Sequence, residues 1–138
     1  MSEERPKYET KTSPNAVSES NQADSTELLA AQSCQPCRRG SDPLSQKEVP
    51  GWLEKLPDWL VTHHEGVPRL QREFPFDDFT QGVAFADQLA ALADENDHHP
   101  ELLITWGCVS VRWWTHSING LHPNDFIMAA KTDLLFAS

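Results

Sequence analysis

Between Asp94 and Asp125 the chain reads Asp-Glu-Asn-Asp-His-His-Pro-Glu-Leu-Leu-Ile-Thr-Trp-Gly-Cys-Val-Ser-Val-Arg-Trp-Trp-Thr-His-Ser-Ile-Asn-Gly-Leu-His-Pro-Asn-Asp, which gathers four of the six histidines and three of the five tryptophans into one stretch. Five acidic residues share it. Imidazole, with an ordinary pKa of about 6.5, can give or take a proton near neutrality, and a neighbouring carboxyl group favours the cationic ring. Asp94, Asp97 and Asp125 are the candidate carboxyl neighbours. Imidazoles set among acids and flat aromatic walls suit a flat, polar, nitrogen-rich substrate that undergoes proton-assisted bond cleavage.

Metal binding is the rival use of such residues. His98 and His99 are adjacent, so they diverge on any regular element, and neither His-Glu-x-x-His nor another paired-ligand spacing occurs. No metal is expected. Cys34 and Cys37 form a Cys-x-x-Cys pair that is either incidental or half of a zinc or redox site, and no second pair follows to complete four ligands. The pair also lacks the preceding strand of a thioredoxin-like motif. Three cysteines, an odd number, fit a reducing compartment better than a disulfide framework. Cys108, beside a strand-like run, is expected to be a small buried residue.

Five elements are needed to position the histidines. Ser45-Gln46-Lys47-Glu48 has the form of a capping box, and Val49, Trp52, Leu53 and Leu56 follow at helical spacing, so a helix begins either there or at Pro50 and stops at Pro57. Trp59–His63 and Arg69–Phe74 are β-prone runs around a turn at Glu65-Gly66-Val67-Pro68, with His63 and His64 exposed at a strand end. Asp77 or Asp78 caps a long Ala-rich helix whose apolar stripe runs through Phe79, Val83, Ala86, Leu89, Ala90 and Ala93. Leu102–Trp106 and Val109–Thr115 make a second hairpin. In its latter strand Val109, Val111, Trp113 and Thr115 face one way, and Ser110, Arg112, Trp114 and His116 the other. His122-Pro123-Asn124-Asp125 opens the last helix, where Asp125 has a purely structural alternative as a first-turn acid, and Phe126, Ile127, Ala130, Leu134 and Leu135 form its stripe.

The order α-β-β-α-β-β-α predicts an α+β domain over residues 42–138, a four-stranded antiparallel sheet with three helices packed on one face. If Trp106, Trp113 and Trp114 do not all fit beneath the helices, an exposed aromatic or strand edge favours oligomers. Residues 1–41 read as a disordered tail carrying the cysteine pair, since the first 32 are polar and hold few large apolar residues; Leu28-Leu29-Ala30-Ala31 offers one marginal helical turn. The net charge of -10 argues against direct contact with nucleic acid or an anionic membrane. No apolar run of about 18 residues and no signal-like N-terminus is present, so a cytoplasmic location is expected.

The spacing of the cluster is more specific than any single residue in it. Asp94, three residues, His98-His99-Pro100, five residues, Trp106, nine residues, His116, eight residues and Asp125 resembles, without gaps, the signature of the pterin-4α-carbinolamine dehydratases, over about residues 42–135. The resemblance implies a lyase that dehydrates 4a-hydroxytetrahydropterin, the product of aromatic amino-acid hydroxylases, to quinonoid dihydropterin, with no metal or other cofactor. It implies His98 and His116 as general acids or bases and His99 as an orienting residue that assists them. Asp94 would hold a histidine tautomer or bind the ring. Asp97, Trp114, Thr115 and Ser117 match substrate-contacting stretches, and Asp125 matches the terminal acid. It also implies a homodimer or homotetramer and a functional link to a phenylalanine hydroxylase. The alternative it carries is a non-catalytic protein of the same fold, a transcriptional dimerisation cofactor or an enzyme-assembly factor.

Overall fold

Two neighbouring residues with positive φ, Glu65 at 52° and Gly66 at 82°, close the first hairpin in a two-residue turn whose twist matches that of the strands it joins. In the computed structural model, which describes residues 25–35 and 41–138, this turn lies between strand β1, Leu60–His64, and strand β2, Val67–Pro75. The turn is therefore tighter than the four residues expected, and Val67 and Pro68 pair with His64 and His63. Strands β3, Glu101–Thr105, and β4, Cys108–Trp113, form the second hairpin. All pairings are antiparallel, in the order β1-β2-β4-β3.

Helices cover one face of the sheet. The chain runs α1, Val49–Leu53, then the first hairpin, α2, Phe79–Asn96, the second hairpin and α3, Pro123–Ala137, which is the expected α+β order. Both readings of the first helix hold in part. Ser45 and Glu48 exchange their capping-box hydrogen bonds, and Pro50 sits in the first turn of α1, where it displaces no helical hydrogen bond. None of these helices is long and apolar enough to cross a membrane among the described residues.

The alternation expected in β4 sets the core. Val109, Val111 and Trp113 are fully buried under the helices with Leu70 and Phe74 of β2, and each such side chain contributes about 1.5–3 kcal/mol by leaving water. Asp78, through its side chain, accepts the backbone N–H of Gln81 and caps α2. The buried stripe of α2 is Gly82, Phe85, Ala86, Leu89 and Ala93. This corrects the expected phase: Phe79, Val83 and Ala90 are exposed, and Phe85 takes their place among the rings of Phe74, Phe76 and Phe136. Leu134 of α3 is likewise exposed. Of the tryptophans in the second hairpin region, Trp113 is fully buried, Trp114 is half-buried, and Trp106 is 66% exposed.

The uncovered face is polar along its central strands and carries exposed Leu60 and Leu103 on its edge strands. Glu73 accepts hydrogen bonds from Ser110, Gln71 and Cys108, and Glu101 accepts from Arg69 and Arg112. Burial pushes the Cys108 thiol up to about 11, helped by its bond to Glu73. This cysteine is half-buried rather than fully enclosed.

Part of the expected disordered tail is ordered. Residues 25–30 are helical, with Leu29 buried in the core, the Thr26 hydroxyl donating to Lys55 O and Lys131 Nζ donating to Ala30 O. Packing supplies what a single helical turn lacks alone. It also explains why α3 is buried almost all round from Asn124 to Ala130. Residues 1–24 and 36–40 of the tail, including Cys37, lie outside the described residues.

One charge is held on the core side of the sheet. Arg72 of β2 lies over the rings of Phe74 and Phe136 and bonds Asp133 of α3 at 2.6 Å, while Trp59 Nε1 donates to the same oxygen. Burial pushes Asp133 up to about 6 against the pull of Arg72 and Trp59. Above that pH the pair is ionic, and removing Asp133 leaves the mostly buried Arg72 only the longer contact to half-exposed Asp58 at 3.6 Å. Asp133→Ala is expected to lower stability by about 3 kcal/mol at neutral pH, read from urea unfolding; a loss well below 1 kcal/mol would contradict this account.

Candidate active site

Helix α2 ends at Asp97, whose left-handed backbone (φ 52°, ψ 41°) lets its N–H reach Asp94 O and that of His98 reach Ala93 O. Aspartate tolerates this conformation better than most residues. The turn sends the adjacent histidines different ways, as their adjacency requires. His98 goes inward, with a side chain 11% exposed, and His99 outward, at 56%.

His98 stacks on Trp113, centroids 5.7 Å apart and planes within 6°, and its Nε2 lies 2.6 Å from Asp125 Oδ1. With Nε2–H donating to the carboxyl group, Nδ1 is the nitrogen left with a lone pair. Asp125 is completely buried, and its Oδ2 accepts from the Thr115 hydroxyl at 2.8 Å and the His122 N–H at 2.9 Å. His99 Nε2 lies 2.9 Å from Asp94 Oδ1.

The third imidazole arrives from the sheet. Beyond β4, Thr115 and Gly120 pair to close a small loop whose 3-10 turn is His116–Ile118. Gly120 lies so close to Pro43 that an added Cβ would stand 2.8 Å from the proline Cβ, and Leu44 N–H donates to Leu121 O beside it. A larger residue would push the loop off. His116 stacks on Trp114 at 4.4 Å, and the Arg69 guanidinium lies 4.6 Å from the same indole.

His98, His99 and His116 line one cleft of about 440 Å³, within the size range of small-molecule sites. Asp97, Thr115 and Ser117 line it too. Asp94 is not part of the lining and reaches the cleft through His99; Trp114 stands behind His116. Asp125, expected to contact substrate, is instead sealed beneath His98, because its carboxyl group is taken up by donors from three segments. Cys34, Gln35, Asn96 and Asn124 also line the cleft and were not expected there. Asn124 had a signal, its place beside Asp125 at a helix start; Cys34 and Gln35 sit in a stretch with no periodicity.

Residues 42–135 match the family profile described as "Pterin 4 alpha carbinolamine dehydratase". The chain belongs to that family. A provisionally named pterin-4-alpha-carbinolamine dehydratase of Microcystis aeruginosa is 46% identical over 108 residues, 78% of this chain and 93% of the relative. One from Chlorobium limicola, provisionally named in the same way, is 48% identical over 104 residues, 75% and 92%. The solved structure described as a transcriptional coactivator/pterin dehydratase from Brucella melitensis superposes with a TM-score of 0.61 at 33% identity, covering 68% of this chain and 98% of its own. The three cleft histidines of this pterin dehydratase family member, and Asp125 beneath them, all fall inside the matched span, and residues 25–35 fall before it.

His122 caps α3 in place of the usual hydroxyl: its Nδ1 accepts the Asn124 N–H at 3.0 Å, which requires a neutral ring. Burial lowers its pKa, Asp125 pulls it back up, and His98 lowers it. The unfolded chain therefore takes the proton first. The stabilisation from neutral His122 is complete above about pH 6.5 and drains away as pH falls below it. His122→Ser keeps a capping oxygen without a titrating ring, so its urea midpoint is expected to gain on wild type between about pH 7.5 and 5.5. A constant difference between the two proteins would refute the assignment.

Proposed function

We propose that this protein dehydrates a 4a-hydroxytetrahydropterin to quinonoid dihydropterin and water by histidine general acid/base catalysis. The observation that carries the reading is the meeting of three imidazoles from two separate segments around one cleft wide enough for a bicyclic ring. The N5 lone pair expels the 4a-hydroxyl group: the C4a–O bond breaks, a C4a–N5 double bond forms, and the departing oxygen takes a proton to leave as water. A ring N–H gives up the balancing proton. No electrons enter or leave, so one acid and one base suffice.

His98 and His116 are the proposed acid and base, approaching from the end of α2 and the end of β4. Asp125 fixes the His98 tautomer, and Trp113 and Trp114 fix the planes of the two rings. His99, held by Asp94, orients the pterin; Asp97, Thr115 and Ser117 contact it. The reaction belongs to pterin recycling for aromatic amino-acid hydroxylation, which links the protein to a phenylalanine hydroxylase. We place it in the cytoplasm as a homodimer or homotetramer without cofactor. Exposed Trp106 and the strand edges β1 and β3 support self-association.

A binding role is the second reading, favoured by the coactivator half of the description given to the Brucella protein. A dehydratase assay separates the two. His98→Ala and His116→Ala are each expected to lower turnover by roughly 10²-fold or more with an unchanged circular dichroism spectrum. Near-normal dehydration by the double variant would overturn the roles given to His98 and His116, and absence of dehydration by wild type would leave only the binding role.

A further inference from the structure

The segment 25–35 precedes the residues matched by the family profile yet reaches the cleft. Gln35 is clamped by the side chain of Asn124: Gln35 N–H donates to Asn124 Oδ1 at 2.8 Å, and Asn124 Nδ2 donates to Gln35 O at 2.6 Å. Asn124 is itself 98% buried, being 2% exposed, and it adjoins Asp125 in the first turn of α3. Upstream, Leu29 is sunk in the core and Lys131 holds Ala30 O, so the segment is fastened at both ends. Cys34 and Gln35 consequently form part of the wall that His98, His99 and His116 share.

A buried amide spent wholly on a neighbouring backbone serves to seat that backbone. Neither cleft residue on the segment is suited to the chemistry. The amide of Gln35 has no group that ionises near neutrality, and burial raises the pKa of the Cys34 thiol, with Lys131 only partly offsetting it. What they can supply is contact.

We propose that residues 25–35 are a specificity strap: Cys34 and Gln35 touch the bound pterin, and Asn124 is the positioning residue that seats them. This rests on the dehydratase reading above. The strap holds substrate and transition state alike, so its loss weakens binding more than turnover.

The test uses the full-length chain and steady-state dehydration kinetics. Gln35→Ala and Asn124→Ala are each expected to raise KM roughly two- to tenfold, the scale of one or two lost neutral hydrogen bonds, with a smaller change in kcat. In the Gln35→Ala/Asn124→Ala double variant the effects are non-additive, because an unseated strap has no Gln35 contact left to lose. A purely structural role for Asn124 would give additive effects. Independently of any variant's folding, a 7,8-dihydropterin, which lacks the 4a-hydroxyl group, is expected to slow iodoacetamide labelling of Cys34 several-fold, located by tandem mass spectrometry. If wild type dehydrates the substrate while Gln35→Ala keeps its KM and Cys34 labels at the same rate with saturating dihydropterin, the strap is overturned and the dehydratase reading stands. If wild type has no dehydratase activity, both fall.

Discussion

A carboxyl group with no access to water organises this protein. Taking a charged or strongly polar group out of solvent costs several kcal/mol unless its lone pairs find donors, and Asp125 finds them on three separate segments. His98 comes from the loop after α2, Thr115 from the end of β4, and the His122 N–H from the start of its own helix. The last is a local capping bond, but His98 and Thr115 cannot serve until sheet and helices have docked. Closure of the fold and orientation of the His98 ring are therefore one event. The site needs no separate scaffold, since the interaction that stabilises the junction also selects the nitrogen that faces the carboxyl group.

The other two imidazoles depend on local backbone rather than on burial. A left-handed residue at Asp97 parts His98 from His99, so a single helix end supplies one enclosed ring and one exposed ring to the same cleft. A bridged loop does the corresponding work for His116, carrying it over the indole of Trp114. Arg69 on the far side of the sheet touches that indole as well, and Glu101 neutralises it. The polar face of the sheet is thereby joined to the cleft through one flat ring.

Much of this was legible because β periodicity is strict. The two-residue repeat in Val109, Val111 and Trp113 named the buried face of β4 and put Trp114 and His116 on the other. Helix phase was harder to read. In α2 alanines are spread around the axis, so Phe79 and Val83 suggested a stripe, and the packing of Phe85 against three other phenylalanines decided otherwise. For Asp125 the sequence offered two roles, helix start and site residue; its carboxyl group accepts the His122 N–H at the helix start with one oxygen and lies against His98 with the other. The segment 25–35 was invisible for a physical reason: one helical turn has no period, and Leu29 is stabilised only by surfaces that come from far along the chain.

Cys108 shows what the hydrogen bonds on the open sheet face bring about chemically. Sulfur attacks peroxides, disulfides and alkylating agents as the anion, and a group whose proton leaves near pH 11 is ionised in roughly one molecule in ten thousand at neutrality. Its neighbour Glu73 favours the protonated thiol by accepting the S–H hydrogen bond. The face thus holds its half-buried cysteine in the thiol form, the weaker nucleophile.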